Sequence, residues 1–169
     1  DGSKTMKPGH GIGNNYYDLM PFGWKDMYST MQYYAALQTM ANLEESIREN
    51  PGWGISTGAI ALDPKPLREH AAAVKRVGNE LFWNEKTGRY VACIDKDGKS
   101  HDYGYPWLVQ EAIWYGFATE EHARAGMDWI NGKRIVAGDT STGADIYHWR
   151  FGPRVSTLRN LDWYGQGWM

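Results

Sequence analysis

The sequence predicts an all-α protein built from antiparallel helical hairpins, with a small β-hairpin and long ordered loops. Three observations lead there. Four segments carry apolar residues at three- and four-residue steps, the mark of a helix with one buried face. The links between these segments are rich in Gly, Pro, Asn, Asp, Ser and Thr, the chemistry of caps and turns. The last two helical segments are separated by so short a link that they must lie side by side, as an αα-hairpin.

Residues 1–23 hold five Gly and two Pro and no sustained period, so they read as a loop. The first helix is expected over Trp24–Ile47, with Met27, Met31, Tyr34, Leu37, Met40 and Ala41 on one broad face, and Asn50-Pro51-Gly52 ends it. Asp63 reads as the N-cap of a second helix, with Pro64 at the first helical position. That helix reaches Phe82 through Leu67, Ala71, Val74, Val77 and Leu81; Gly78 inside it weakens the pattern. Arg89–Ile94 is strand-like and Asp95-Lys96-Asp97-Gly98 has turn chemistry, which suggests a hairpin. Pro106–Tyr115 forms a third helix, and Thr119 caps a fourth over Glu120–Ile130, with acidic residues in its first turn. Beyond Asn131 the chain reads as loop, but its five Trp and Tyr residues argue for a loop that makes contacts.

Composition narrows the function classes. A net charge of −2 gives no reason to expect a nucleic-acid backbone as partner. No apolar run of about 18 residues is present, so no membrane-spanning helix is expected. The one cysteine, Cys93, excludes an internal disulfide and reads as a small core residue. The five histidines are scattered without paired ligand spacing, so neither a metal nor another cofactor is expected. His122 reads as an exposed polar residue of its helix. Gly9-x-Gly11-x-Gly13 lacks the preceding strand and the following Lys-Ser/Thr of a phosphate loop. Nine Trp and eleven Tyr against four Phe put the aromatic excess into rings with a polar handle. Such rings suit an apolar face that meets a hydrogen-bonding partner, though an aromatic core would need them too.

The densest concentration of such residues is Asn14–Asp26, directly before the first helix. Carboxylates, amides and rings lie there between glycines. A polar ligand with flat apolar faces, such as a sugar, needs that mixture: rings stack on C–H faces while carboxylates and amides meet hydroxyls.

These segments resemble the six-hairpin glycosidases, the glucoamylases, trehalases and their relatives. Gly13-Asn14-Asn15-Tyr16-Tyr17-Asp18 is similar to the Gly-Trp-Asp or Tyr-Asp-Leu segment that leads into a central helix of those enzymes. Leu81–Tyr90 resembles their Leu-Trp-Asn/Asp-Glu junction, and Ala118–Ala123 their Ala-Thr/Ser-x-Glu-Gln-Ala helix start. The likeness spans most of residues 11–155. It implies an α/α toroid and inverting hydrolysis of an oligo- or polysaccharide. A closed toroid needs roughly 200 residues even with minimal helices and loops. The chain is therefore expected to be a single partial catalytic domain over residues 1–169, the remainder of the same polypeptide missing and apolar helix faces left exposed.

Inverting glycosidases place two carboxyl groups about 6.5–9.5 Å apart, one donating a proton and the other activating water. The resemblance makes Asp18 the candidate general acid, with Tyr16, Tyr17 and Trp24 placed to raise its pKa by desolvation. Asp26 is its competitor, or a first-turn carboxylate favoured by the helix dipole. No segment matches the family's base; Glu111, near a ring-rich helix start, is the substitute, or else a substrate contact or a structural hydrogen bond. Candidate substrate contacts are Asn15, Tyr17, Trp24, Asp102, Tyr103, Trp107, Asp139 and Asp145, with Trp149 and Arg150 as one wall. For Asp139 and Asp145, ordinary Asx and Ser/Thr turns explain the pattern equally well. Two alternatives remain open. An epimerase or polysaccharide lyase of the same architecture would use His101 with Tyr103 for proton transfer. A non-catalytic glycan-binding helical array would need the rings but no carboxylate pair. The compartment is not legible.

Overall fold

The computed structural model describes residues 24–55, 62–95, 97–102 and 104–136. Within them lie four helices: α1 (Met27–Glu49), α2 (Pro64–Phe82), α3 (Pro106–Trp114) and α4 (Glu120–Ile130). Five two-residue strands accompany them: β1 (Lys25–Asp26), β2 (Trp83–Asn84), β3 (Arg89–Tyr90), β4 (Cys93–Ile94) and β5 (Ser100–His101).

The all-α expectation is therefore corrected. One antiparallel sheet has the order β1-β4-β5 and a second pairs β2 with β3, so the described residues are a mixed α and β structure. The single strand expected over Arg89–Ile94 is divided between the two sheets. Arg89 faces Asn84 and Tyr90 faces Trp83, whereas Cys93 lies between Asp26 and His101. Strands of two residues carry no readable alternation, because their pairing is decided by partners far away in the chain. β1 also takes the start of the first helix: Lys25 and Asp26 pair with β4, Trp24 lies at φ 60°, and the helix begins at Met27.

Helices α1 and α2 run antiparallel, since Glu45 of α1 meets Arg68 near the start of α2 while Tyr33 meets His70 further on. The buried face of α1 is the expected one at Met27, Met31, Tyr34 and Ala41; Leu37 packs half-buried and Met40 is exposed. On α2 the buried positions are Pro64, Ala71, Gly78, Asn79 and Phe82, and Val77 points outward. Gly78 has a packing reason. A Cβ there would stand 2.4 Å from Cζ of Phe117, a fully buried ring of the α3–α4 link. The absent side chain lets that link press onto α2. Asp63 and Thr119 cap α2 and α4 as expected, accepting from the N–H of Lys65 and of His122.

The core joins Met27, Met31 and Tyr34 of α1 to Phe82, Tyr90, Val91, Cys93, Leu108, Val109, Ala112, Phe117 and Trp129. Each large apolar side chain buried here contributes about 1.5–3 kcal/mol. Cys93 is buried, as its apolar neighbours suggest. Tyr33, Trp53, Val77 and Trp114 are exposed on the helical surface, Trp114 at 83%. No helix among the described residues is long and apolar enough to cross a membrane.

Candidate functional site

The first half of α1 is flanked by two surfaces that contain sequence candidates. On one side it meets α2 across a groove of about 820 Å³ lined by Trp24, Asp26, Tyr33, His70, Val77 and Leu81, among others. Its lining is mostly apolar. Its carboxylate, Asp26, is 4% exposed and is the N-cap of α1, accepting from the N–H of Tyr28 at 2.9 Å and from Ser29 Oγ at 2.8 Å. An acid held in that way is placed to fix a helix start. At the groove rim Tyr33 Oη and His70 Nε2 are 3.1 Å apart.

On the other side α1 meets α3 along a seam. Tyr28 and Gln32 are one helical turn apart on α1, and Trp107 and Glu111 are one turn apart on α3, so the two pairs meet rung by rung. Tyr28 stands edge-on to Trp107 at 5.4 Å between ring centres, and Tyr105 stacks on the same indole at 5.5 Å. One turn further along, Gln32 Nε2 donates to Glu111 Oε2 at 3.3 Å and to Tyr115 Oη at 3.2 Å. All of these except buried Tyr105 are half-buried and reach the surface. Burial pushes the Glu111 carboxyl above its ordinary value, and the Gln32 hydrogen bond only partly opposes this. The seam thus brings together half-buried rings, an amide, a phenol and a carboxyl group whose pKa burial raises.

Asp102 is in a different position. Its Oδ1 accepts from Arg89 Nε at 2.7 Å and from the Gly104 N–H at 3.2 Å; its Oδ2 accepts from Asn84 Nδ2 at 2.9 Å and Thr87 Oγ1 at 2.7 Å. Arg89 is 1% exposed and lies over the Trp129 ring at 4.6 Å. Gly104, at φ +70°, makes room for this: a Cβ would stand 2.9 Å from the guanidinium. Four donors saturate the Asp102 carboxylate, which makes it a structural ion pair.

His101 is 4% exposed, with Nε2 3.0 Å from Asp95 Oδ2. Asp95 also accepts from the N–H groups of Asp97 and Lys99, both at 2.9 Å. Burial alone would raise the Asp95 carboxyl, but these hydrogen bonds and His101 outweigh it and hold the carboxyl below its ordinary value.

Asn79, Tyr90 and His122 form a junction that the sequence did not reveal. Asn79 Nδ2 donates to the carbonyls of Lys75 at 2.7 Å and Phe117 at 2.8 Å, which fixes the amide orientation. Asn79 Oδ1 then accepts from Tyr90 Oη at 2.6 Å and lies 2.9 Å from His122 Nδ1, so that nitrogen carries the ring hydrogen. His122 is half-buried, not exposed, and stacks on Trp83 at 3.8 Å. Burial lowers the His122 pKa against the pull of Glu121 and Glu85, and burial pushes the Tyr90 phenol well up. The junction fastens α2, β3 and α4.

Of the sequence candidates, the seam brings Trp107 and Glu111 together, the groove holds Trp24 and Asp26, and Asp102 stands apart. Asn15, Tyr17, Asp18, Tyr103, Asp139, Asp145, Trp149 and Arg150 lie outside the described residues. Among the described residues no group of His, Cys, Asp and Glu side chains is arranged to hold a metal ion. No protein family, curated protein or solved structure matches this chain.

Proposed function

We propose that this chain belongs to a carbohydrate-active protein that hydrolyses glycosidic bonds. The saccharide lies along the α1–α3 seam, and Glu111 carries the proton delivered to the leaving oxygen. The observation that supports this is the Glu111 carboxyl, raised in pKa by burial and set one turn from Trp107 and opposite Tyr28. A general acid must hold its proton at the working pH, and partial desolvation moves a carboxyl in that direction. The rings supply flat apolar faces for a pyranose, and Gln32 and Tyr115 supply polar partners. This reverses the role given to Glu111 from sequence, where it stood in for the base. The second carboxyl is neither Asp26 nor Asp102, both committed to structure; Asp18, the candidate acid from sequence, becomes the candidate for it.

Incubating the chain with a panel of α- and β-linked oligosaccharides and measuring new reducing ends tests this. Hydrolysis is expected to fall on the alkaline side as Glu111 loses its proton, with that limb above the ordinary carboxyl range. Glu111→Gln is expected to reduce turnover by about 10²–10⁴-fold, the usual worth of a general acid, and to leave binding intact. Unchanged turnover in that variant removes Glu111 from the role. A second reading, glycan binding without hydrolysis, is favoured by the structural commitment of Asp26 and Asp102. Binding by the wild type with no cleavage of any oligosaccharide selects it.

A further inference from the structure

We propose that Gln32 is a positioning residue for Glu111, fixing which carboxyl oxygen carries the proton. This rests on the Glu111 reading above. A glutamate side chain has several rotamers of similar energy, and a proton donor is useful only when one of them is held. Gln32 reaches across from α1 and its Nε2 meets Glu111 Oε2 at 3.3 Å and Tyr115 Oη at 3.2 Å. The amide nitrogen has two hydrogens, and these two oxygens take them both.

The contact to Tyr115 ties the amide to the end of α3, where Tyr115 caps the helix with its N–H on the Glu111 carbonyl at 2.9 Å. Gln32, Glu111 and Tyr115 thus form a closed triangle across the seam. Because Oε2 accepts from the amide, it has the character of the carbonyl oxygen in the neutral acid. The proton then resides on Oε1. Among the described residues Gln32 is the one hydrogen-bond donor to this carboxyl. The opposite amide orientation would turn Gln32 Oε1 toward the carboxyl and place the proton on Oε2 instead.

The two orientations differ in sign. An N–H donor stabilises the ionised carboxylate, so removing it raises the Glu111 titration midpoint. A carbonyl acceptor stabilises the neutral acid, so removing it lowers the midpoint. The experiment is a ¹³C NMR titration of the Glu111 carboxyl in the full chain, for wild type, Gln32→Met and Gln32→Asn. Both variants remove the reach of the amide; Asn keeps a polar side chain, so the measurement survives if Met perturbs packing. The expected result is an upward move of the midpoint by roughly half a pH unit in both. The alkaline limb of any hydrolytic activity is expected to move by the same amount, which a merely structural role would not cause. A midpoint that stays put or moves down in both variants overturns the inference. A midpoint that moves up while no oligosaccharide is cleaved leaves Gln32 as the residue that holds Glu111 and sinks only the hydrolase reading.

Discussion

Asp102 and Glu111 are two carboxylates on either side of the start of α3, and their surroundings differ in one decisive respect. Asp102 accepts four hydrogen bonds, one from a buried guanidinium. Among the described residues Glu111 accepts one, from a half-buried amide. The first is a fastening between β3 and the loop before α3. The second is a group kept partly dry and nearly undonated, which costs the ionised form and favours the proton. Ring neighbours do not separate them, since Trp129 lies beside Arg89 just as Trp107 lies beside Glu111 in the helix. The count of donors does. A polar residue with every lone pair satisfied is explained by folding, whereas one left short invites a ligand.

The largest expected effect breaks the saturated side. Asp102→Ala withdraws the carboxylate from Arg89, which is 1% exposed, and is expected to lower stability by about 3 kcal/mol, read as a shift of the urea midpoint. Glu111→Gln is expected to change stability by less than about 0.5 kcal/mol in the same measurement. Equal losses at the two positions would erase the distinction between them. Next in size is Gly78→Ala. Its Cβ meets the buried Phe117 ring, and overpacking of this kind costs about 1–3 kcal/mol. A stabilised variant would contradict the close approach of the α3–α4 link to α2.

The smallest effect is one of pH. The Asp95 carboxyl is held below its ordinary value, so its contribution is present above the unfolded-state carboxyl pKa and is lost as pH falls through the folded one. Asp95→Asn is expected to flatten the stability curve over that acid range, measured by thermal unfolding at stepped pH. An unchanged acid limb would show that His101 and the turn N–H groups do not depend on the charge.

The helices were legible because their signals are local. The step from Met27 to Met31 to Tyr34 and the caps at Asp63 and Thr119 all lie within one or two turns. The sheets were not, because Asp26 pairs with Cys93 and Cys93 with His101 across distances that no local period encodes. The all-α expectation failed at the same places: Lys25 and Asp26, read as the start of the first helix, pair as a strand with Cys93 and Ile94, and the one strand read over Arg89–Ile94 serves two sheets. The site was half legible. Glu111 was chosen because it lies near a ring-rich helix start, and α3 sets Trp107 one turn before it. Their partners Tyr28 and Gln32 were hidden, since they sit on α1 about 80 positions earlier. Asp102 was chosen for its place at a loop-to-helix entry, but three of its four donors, Asn84, Thr87 and Arg89, come from the β2–β3 hairpin.

The claim that the sparsely donated Glu111 carboxyl marks the ligand surface is tested most directly by ¹H–¹⁵N chemical-shift mapping of the chain titrated with oligosaccharides. The account expects the Trp107 indole N–H and the Gln32 side-chain amide to shift together and saturably, with the Asn79 and Asn84 amides unmoved. Saturable shifts confined to the α1–α2 groove, or none with any saccharide, would contradict it.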